Sequence, residues 1–253
     1  MPLIVSNWLG GTPGRLAREL GWKRARPSDK RRNSSTILNW GTSHPIFVRP
    51  GAKVLNDPSA VRAACSKLST FRLLKEREVP CMEFTQDKNE AKQWLENKKS
   101  VVCRDILTGK QGEGIRIINS KEWRANGRPE FQDSRLYTKY FPKVNEYRIH
   151  VFKHKCLGVY EKKRKFGQPA DFWVRTHNNG WIYALPGYDA REFDALFDLG
   201  RLAVQSLKLD FGAVDVGVDS AGSAKVFEVN TAPGLEGRTL AAYVTAINED
   251  VRG

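Results

Sequence analysis

A chain of 253 residues with 40% hydrophobic and 28% charged residues has the composition of a globular protein and is long enough to bury a sizeable core. No stretch approaches the roughly 18 to 20 consecutive apolar residues of a membrane-spanning helix, and the first residues lack the basic and apolar segments of a secretory signal. We therefore expect a cytoplasmic protein with no membrane partner. The formal net charge of +14 favours anionic ligands, including nucleotides, phosphorylated metabolites and nucleic acid. The four cysteines are widely separated, which predicts free thiols and argues against a zinc site.

Residues 1–56 predict a small α/β lobe. An apolar strand at Leu3–Val5, a glycine-rich turn, a short helix at Leu16–Leu20 and a second strand at Thr36–Trp40 follow one another. Between the helix and the second strand lies a cluster of cations, namely Lys23, Arg24, Arg26, Lys30, Arg31 and Arg32. A solvated loop is the simpler interpretation of this cluster, and a patch that binds nucleic acid or another polyanion is the alternative.

Residues 57–134 predict a lobe built from a helix and a hairpin. Turn and cap residues precede a long amphipathic helix that continues to Pro80, and Ala91–Leu95 predicts a short helix. Two strands follow, at Val101–Ile106 and Gly114–Ile118, and the loop LTGKQGE joins them. This segment is expected to form the smaller of two α+β lobes.

Residues 135–253 predict a larger α+β lobe, in which antiparallel strands accompany one helix. The apolar spacing predicts the helix at Arg191–Leu207. The strands are predicted at Arg135–Phe141, Tyr147–Phe152, Cys156–Glu161, Val174–His177, Trp181–Ala184, Ala213–Val218 and Lys225–Val229. The segment KKRKFGQPADFW is either a lid over a binding site or an ordinary surface loop.

Three oxygen-bearing side chains near the C-terminus predict a metal site. Asp215 lies on one strand, and Glu228 and Asn230 lie on the next, two residues apart and therefore on the same face. In an antiparallel hairpin, Asp215 meets them from the neighbouring strand. Mg²⁺ prefers such hard oxygen ligands and completes its coordination with water and substrate phosphates, which implies a nucleoside triphosphate. Exposed hairpin residues are the structural alternative, although both acids have apolar neighbours in the sequence.

A glycine-containing loop and two cations predict contacts with phosphate. Gly112 and Gly114 allow the backbone to approach a phosphate group, and Gln111 carries a side-chain donor; a simple hairpin turn is the alternative. Lys67 lies on the predicted long helix or its approach, and Arg104 lies between apolar residues on the strand before the loop. A surface position is the alternative for both cations.

The segment LYTKYFPKVNEYRIHVF predicts a strand that breaks at Pro142 and restarts after Glu146. Such a break leaves backbone groups free to bind the edge of an adenine ring. It also places a carboxylate where it can accept hydrogen bonds from ribose hydroxyls. The segment is therefore a candidate for contacts with a nucleoside.

Taken in order along the chain, these features resemble the ATP-grasp superfamily. The resemblance covers about residues 57 to 240 and rests on the runs CSKLSTFRLLKEREVP, VVCRDILTGKQGEGIRII, LYTKYFPKVNEYRIHVF and FGAVDV…KVFEVNTAPGLEG. Within the superfamily the chain is similar to the RimK-like and D-alanine:D-alanine-ligase-like carboxylate-amine ligases, and as a whole to small ATP-grasp proteins that some tailed phages encode. The resemblance implies the α+β ATP-grasp fold, in which two α+β lobes clasp ATP and a short α/β lobe precedes them.

The resemblance also implies roles for individual residues. Lys67 and Arg104 would hold the α- and β-phosphates, the glycine loop would close over them, and Glu146 would bind the ribose. The full set implied for ATP is Lys67, Arg104, Gln111, Gly112, Gly114, Lys139, Tyr140, Phe141 and Glu146. The implied ligands of Mg²⁺, or of Mn²⁺ in its place, are Asp215, Glu228 and Asn230. The implied catalytic residues are Arg148, Arg175 and Asn178.

Three positions depart from the family pattern. Arg104 stands where the family usually has lysine, which keeps the charge but offers a planar fork. Thr138 stands where related ligases often carry a glutamate that holds the adenine amine. Ala213 stands where the D-alanine ligases place an arginine, and Arg175 is a candidate to take over its role.

By this resemblance the activity is ATP-dependent ligation of a carboxylate to an amine, through an acyl-phosphate and with release of ADP and phosphate. The expected partners are small-molecule or peptide substrates. A homodimer is expected because many relatives dimerise. The expected location is the cytoplasm, which is the host's cytoplasm if a phage encodes the chain. One alternative is a kinase of the same fold that phosphorylates an anionic polyol. The other is a non-enzymatic module that binds nucleotide or nucleic acid. The turn TAPGLEG either presents N–H groups to a substrate carboxylate or simply ends a strand.

Overall fold

The computed structural model describes residues 2–8, 10–29, 34–109, 112–187 and 193–252. Within these ranges the strands form three sheets, and no helix is long and apolar enough to cross a membrane. Gln111, predicted in the phosphate loop, and Arg191, predicted at the start of a helix, lie outside the described residues.

The N-terminal lobe is a parallel sheet with one helix. Its elements in chain order are β1 (Leu3–Val5), α1 (Gly11–Leu20), β2 (Lys23–Ala25), β3 (Thr36–Asn39) and β4 (Lys53–Leu55). The strand order is β2-β1-β3-β4. The elements β1, α1 and β3 confirm the predicted ones. The sequence pattern does not predict β2 and β4, because three residues are too few to show an alternation.

The long helix predicted up to Pro80 is wrong, because the chain forms two helices there. They are α2 (Pro58–Cys65) and α3 (Lys67–Glu76), and Ser66 lies between them in an extended conformation. The Ser66 hydroxyl accepts a hydrogen bond from the backbone N–H of Ser69, 3.4 Å away, so serine acts as the N-cap of α3. The break places Lys67 at the first turn of α3.

A second, antiparallel sheet has strands in the order β5-β8-β6-β7. The strands are β5 (Phe84–Thr85), β6 (Val101–Arg104), β7 (Ile115–Ile118) and β8 (Leu136–Lys139). The helices α4 (Lys88–Glu96) and α5 (Ser120–Ala125) cover one face, where Trp94, Trp123 and Tyr137 share a buried cluster. By hydrogen bonding β8 belongs to this sheet, whereas the sequence assigns its residues to the third segment of the chain.

The third sheet has the strand order β11-β10-β9-β12-β13. Its strands are β9 (Asn145–Phe152), β10 (Lys155–Arg164), β11 (Trp181–Ala184), β12 (Phe211–Val218) and β13 (Ala224–Asn230). The helix α6 (Asp194–Ser206) packs on one face, together with α2 and α3. The strand predicted at Val174–His177 is wrong, since these residues lie in the loop that joins β10 to β11.

The C-terminal helix α7 (Gly237–Arg252) is not among the elements predicted from the sequence. It packs on the other face of the third sheet and shares a buried cluster with the N-terminal lobe. In that cluster the Trp40 ring stacks on Phe211, with centroids 5.1 Å apart, and meets the edge of Tyr243 at 5.8 Å. The N-terminal lobe and the large sheet therefore share one core.

Asn56 fastens the N-terminal lobe to the large sheet through polar contacts. The residue is fully buried and adopts a left-handed conformation with φ of 63°. Its side-chain oxygen accepts hydrogen bonds from the backbone N–H groups of Asp210 (2.7 Å) and Phe211 (3.1 Å), and its amide donates to the Phe211 carbonyl at 3.0 Å. Asparagine tolerates this backbone region better than most residues. Asn56 therefore fits the turn with its backbone, while its side chain hydrogen-bonds the buried backbone groups at the start of β12.

Candidate active site

A cavity of about 550 Å³ lies between the second and third sheets. Most of the predicted site residues line it, although they come from distant parts of the chain. Those in the lining are Lys67, Arg104, Gly112, Tyr140, Phe141, Glu146, Arg148, Arg175, Asp215, Glu228 and Asn230. Gly114, Lys139 and Asn178 do not line it, and Asn178 is exposed. This central cavity is the candidate active site.

The hairpin of β12 and β13 brings the three predicted metal ligands together, as expected. Asp215 lies opposite Glu228 in the register, and Ala213 lies opposite Asn230. All three oxygen-bearing side chains line the cavity. The alternative of an exposed hairpin is wrong for Asp215, which is 6% exposed.

Asp215 and Arg148 form a bidentate ion pair on adjacent strands. The Arg148 Nε and Nη2 atoms donate to the two carboxylate oxygens at 2.7 and 2.8 Å, and the Tyr183 hydroxyl donates to one of them at 3.3 Å. Burial raises the pKa of Asp215, but the guanidinium more than offsets this, so the pKa lies below its usual value. Asp215 is therefore an anion held in a fixed orientation.

Two further carboxylates in the cavity are paired with lysines. Lys67 Nζ lies 3.0 Å from a Glu228 carboxylate oxygen, and Lys162 Nζ contacts Glu146 directly. Lys162 and Glu146 are both buried, whereas the Glu228 side chain is 35% exposed. Each of these two carboxylates therefore has a lysine as its counter-ion within the cavity.

Arg104 is the cation of the small-sheet wall, and its charge is less well satisfied. It is largely buried at the end of β6, and its Nε atom is buried without a hydrogen-bond partner. Burial lowers the pKa of Arg104, and the Glu228 carboxylate only partly opposes this. An anion bound in the cavity would supply the missing acceptor.

The glycine loop meets the loop between β10 and β11 at the cavity. Gly112 has φ of 85°, and a Cβ atom there would lie 3.0 Å from a Val174 methyl carbon. Gly114 has φ of 68° and turns the chain back into the hairpin, where its carbonyl accepts from the Asp105 N–H at 2.9 Å. Gly112 therefore allows a close approach, whereas Gly114 serves the turn.

The segment predicted to contact adenine lies at one end of the cavity. The Lys139 N–H donates to Glu83, and the Tyr140 N–H donates to Ser100 at 2.8 Å. The Lys139 ammonium pairs with the Glu83 carboxylate, away from the cavity. Phe141 packs its ring against Phe227, with centroids 6.0 Å apart. Tyr140 and Phe141 thus face the cavity, but the Lys139 side chain does not.

Four contacts join this segment to the loop between β10 and β11, and we call them the clasp. Lys143 Nζ donates to the Trp173 carbonyl at 2.9 Å, and the Arg175 guanidinium donates to the carbonyls of Val144 (3.1 Å) and Lys143 (3.2 Å). The rings of Tyr140 and Trp173 lie 4.5 Å apart. Arg175, predicted to face the transferred phosphate, is held at the clasp in this structure while it still lines the cavity.

Comparison with known proteins identifies the fold. No protein-family model matches the sequence, and no curated protein matches it significantly. The RimK domain ATP-grasp protein from Sphaerobacter thermophilus superposes with a TM-score of 0.66 at 15% identity, covering 100% of this chain and 99% of that chain. The D-alanine–D-alanine ligase from Bacillus anthracis, complexed with ATP, superposes at 0.63 and 14% identity, covering 99% and 96%. The ATP-grasp ligase PsnB, complexed with minimal precursor, Mg and ADP, superposes at 0.67 and 11% identity, covering 98% and 96%.

The chain has the ATP-grasp fold. That fold implies a magnesium site, and the donors present fit one. Asp215 and Glu228 offer carboxylate oxygens, and the Asn230 amide nitrogen is buried with no hydrogen-bond partner, so this amide is free to turn toward a ligand. No group of three or more Asp, Glu, His or Cys side chains that could hold a metal occurs in the described ranges. A site here would therefore combine two carboxylates with an amide.

Three residues of this ATP-grasp cavity are missed by the sequence reading, namely Lys143, Lys162 and Tyr183. Lys162 lies in the basic run KKRK, which resembles a solvated face, but alternation along β10 turns it inward and leaves Lys163 further out. Reading that run with the period of a strand would have found it. Lys143 has no such signal, because the structure of a loop decides where it points.

The described lining carries a net positive charge. Its cations are Lys67, Arg104, Lys143, Arg148, Lys162 and Arg175, and its carboxylates are Glu146, Asp215 and Glu228. Six cations against three carboxylates leave an excess of three positive charges in a partly enclosed space. Such a site in the ATP-grasp fold suits a polyphosphate.

Proposed function

We propose that this chain is an ATP-dependent ligase that joins a carboxylate to an amine through an acyl-phosphate. The observation that carries the proposal is the convergence in one cavity of three cations from separate elements, Lys67, Arg104 and Arg148, with the acids of the β12–β13 hairpin. The transfer of a phosphoryl group needs charge neutralisation and alignment more than covalent help from the protein. The solved structures of the same fold include ligases complexed with ATP or with Mg and ADP.

In this proposal the cavity binds ATP from one end to the other. Lys67 and Arg104 hold the phosphates, and the glycine loop covers them where Gly112 lines the cavity. The Phe141 ring holds the adenine, together with the backbone groups of residues 139–141 other than the two N–H groups that donate to Glu83 and Ser100. Glu146 accepts hydrogen bonds from the ribose hydroxyls, and its contact with Lys162 holds the carboxylate in place.

The reaction has two steps. A carboxylate oxygen of the substrate attacks the γ-phosphorus, the bond from that phosphorus to the bridging oxygen of ADP breaks, and an acyl-phosphate forms. An amine then attacks the acyl carbon, the C–N bond forms, phosphate leaves, and the amine loses a proton. Arg148 stabilises the charge on the transferred group, and Arg175, which lines the cavity from the neighbouring loop, assists it.

Mg²⁺, or Mn²⁺ in its place, would be held by Asp215, Glu228 and Asn230, where it neutralises charge on the phosphates. The substrates are carboxylates and amines of small molecules or peptides. Support for this range comes from the solved neighbours, one of which is a D-alanine–D-alanine ligase and another of which is complexed with a minimal precursor.

Trapping of the intermediate tests the proposal. The protein is incubated with Mg·ATP, pooled carboxylates and hydroxylamine, and ADP and hydroxamate are measured together. We expect both products with the wild-type chain and neither with Glu228→Gln. The matched control is Glu130→Gln, which neutralises an acid outside the cavity lining whose side chain is 87% exposed. Formation of ADP without hydroxamate would favour the kinase, and equal activity of the two variants would refute the assigned site.

A further inference from the structure

The edge strand β11 places two aromatic rings against the central cavity. Trp181 and Tyr183 are two residues apart on this strand, so their side chains lie on the same face, and both line the cavity. The Arg148 guanidinium lies over the Tyr183 ring, with its Cζ atom 4.3 Å from the ring centroid. The Arg175 guanidinium lies over the Trp181 ring in the same way, at 4.5 Å. Each ring therefore contacts one of the two arginines that the proposed reaction places at the transferred phosphoryl group.

Tyr183 reaches Arg148 across an intervening strand. Tyr183 lies opposite Lys162 in the register, and β10 separates β11 from the strand β9 that carries Arg148. Neighbouring strands lie about 4.8 Å apart, so roughly 10 Å separate the backbones of β9 and β11, a span that a tyrosine and an arginine bridge together. The same ring lies 5.3 Å from Lys162 Nζ, and its hydroxyl donates to Asp215 at 3.3 Å. Tyr183 thus contacts both buried ion pairs of the large sheet, Arg148 with Asp215 and Lys162 with Glu146.

Trp181 is fixed by the loop that carries Arg175. The residue is 5% exposed, and its indole Nε1 donates to the Asp171 carbonyl at 2.8 Å. Its backbone N–H donates to the Thr176 carbonyl at 3.2 Å. Both acceptors belong to the loop between β10 and β11, and Arg175 lies between them in the chain. The indole is therefore a fixed support under an arginine that no helix or strand holds.

Contact through the face of a guanidinium leaves its edge free. All its N–H donors lie in the plane of the group, whereas an aromatic ring attracts the cation from above or below that plane. Arg148 gives Nε and Nη2 to Asp215, which leaves Nη1 for a ligand. Arg175 gives Nη1 and Nη2 to carbonyls of the clasp, and its Nε atom is buried with no partner. The rings thus fix the plane of each arginine without using a donor.

Hydrophobic packing is the simpler explanation for two aromatic side chains. It accounts for the contact between the rings of Trp181 and Phe172, whose centroids lie 5.6 Å apart. It does not account for Tyr183, which belongs to none of the buried apolar clusters that the described residues form. The ring of Tyr183 contacts two cations instead.

We propose that Trp181 and Tyr183 are positioning residues, whose rings hold Arg175 and Arg148 in the orientation that binds the γ-phosphoryl group of the nucleotide. This inference rests on the proposed function in one respect, the binding of ATP in the central cavity. It makes β11 part of the phosphate site, although the strand itself gives the phosphate no donor. It also makes the two rings contribute to the preference for a triphosphate over a diphosphate.

The affinity gained from the γ-phosphate measures this role and needs no carboxylate substrate. The full chain is titrated in a calorimeter with Mg²⁺ and ADP and, separately, with Mg²⁺ and a non-hydrolysable ATP analogue. The readout is the ratio of the two dissociation constants. We expect Tyr183→Leu and Trp181→Leu each to lower this ratio by about three- to tenfold, while the affinity for ADP changes by less than about twofold. The physical reason is that a guanidinium without its ring rotates away from the phosphate.

Variants that retain a ring separate positioning from structural support. We expect Tyr183→Phe and Trp181→Phe to keep most of the wild-type ratio, because the face of an aromatic ring remains under each arginine. The matched control is Phe131→Leu, which removes a ring that lies 5.7 Å from the Lys88 ammonium and outside the cavity lining. It should leave the ratio unchanged. Urea unfolding confirms that each variant is folded; if Trp181→Leu does not fold, the two Tyr183 variants give the same comparison, since Tyr183 is only half-buried.

Three results would overturn the proposal. The first is an unchanged ratio in Tyr183→Leu, and the second is an equal fall in its leucine and phenylalanine variants, which would assign the effect to the hydroxyl. The third is an equal loss of affinity for ADP and for the analogue, which would show that the rings support the whole cavity.

The failures of the two proposals are distinguishable. Hydroxamate formation with a ratio that does not depend on the rings refutes the positioning role and leaves the ligase. A ring-dependent ratio with no hydroxamate refutes the ligase and leaves a γ-phosphate that is positioned for transfer to another acceptor.

Discussion

The two walls of the central cavity differ in how their charges are satisfied. On the wall formed by the large sheet, Arg148 is bound by Asp215 and Lys162 by Glu146. On the wall formed by the small sheet, Arg104 keeps a buried Nε atom with no acceptor. Both walls are cationic and face the same space, so the difference lies in whether the protein supplies the counter-charge itself.

This difference separates stability from binding. A buried pair that is complete within the protein holds its members in place, and removal of one member leaves an uncompensated charge. A buried cation that lacks an acceptor costs stability and gains its partner only when a ligand arrives. We therefore expect substitutions on the large-sheet wall to affect folding first, and substitutions on the small-sheet wall to affect nucleotide binding first.

The largest effect is expected for Asp215→Ala. The change removes the acceptor of two Arg148 hydrogen bonds and leaves a largely buried guanidinium without a counter-ion, which should lower the free energy of unfolding by about 3 to 5 kcal/mol. Urea unfolding measures it. The control Asp198→Ala breaks an exposed pair with Arg201 and should cost no more than about 1 kcal/mol. An equal loss of unfolding free energy in the two variants would show that the buried ion pair does not stabilise the large-sheet wall.

A smaller effect, of the opposite kind, is expected for Arg104→Met. Removal of an incompletely paired cation should leave the free energy of unfolding unchanged or higher. Loss of charge-assisted hydrogen bonds to phosphate should weaken the binding of a non-hydrolysable ATP analogue by about 10- to 100-fold in calorimetry.

The matched control for Arg104 is Arg116→Met on the neighbouring strand. The Arg116 guanidinium pairs with Asp105 at 3.1 Å and does not line the cavity, so its loss should leave the affinity for the nucleotide unchanged. A large loss of stability in Arg104→Met, with an affinity equal to that of the control, would remove the contrast between the walls.

The smallest effect concerns Lys143, at the edge where the walls meet. Burial lowers its pKa to about 8 from 10.5, so between these values the unfolded chain binds more protons than the folded one. The contribution of Lys143 to the free energy of unfolding should therefore rise as the pH increases from about 8 to 10.5. The difference in unfolding free energy between the wild type and Lys143→Met, followed by urea titration at several pH values, should show this rise. A pH-independent difference would place the lysine in solvent.

Local patterns in the sequence predict the large-sheet wall well. Asp215, Glu228 and Asn230 lie on consecutive strands of one hairpin, so alternation and a short turn are enough to bring them together. The same kind of pattern predicts most strands of this sheet. The apolar spacing does not reveal the break at Ser66. The helical spacing of apolar residues continues from α2 into α3, and a single polar serine between them does not interrupt it.

The clasp was beyond sequence reading for a physical reason. Arg175 and Lys143 are 32 residues apart, and both lie in loops whose course depends on tertiary packing. The apolar run that ends at Val174 predicts a strand, but the carbonyl of Val174 accepts a hydrogen bond from the Asn179 side chain within a tight loop instead. Residues in such loops need the rest of the fold before they can be placed.

The shared core of the N-terminal lobe and the C-terminal helix has a consequence for the order of folding. Leu38 and Trp40 pack against Phe211, Tyr243 and Ile247, which the ribosome adds about two hundred residues later. Leu38 and Trp40 thus lack these apolar partners until residues 211–247 have been synthesised. Contacts of such long sequence separation form slowly, so the N-terminal strands should be the last part of the molecule to gain protection from hydrogen exchange during refolding.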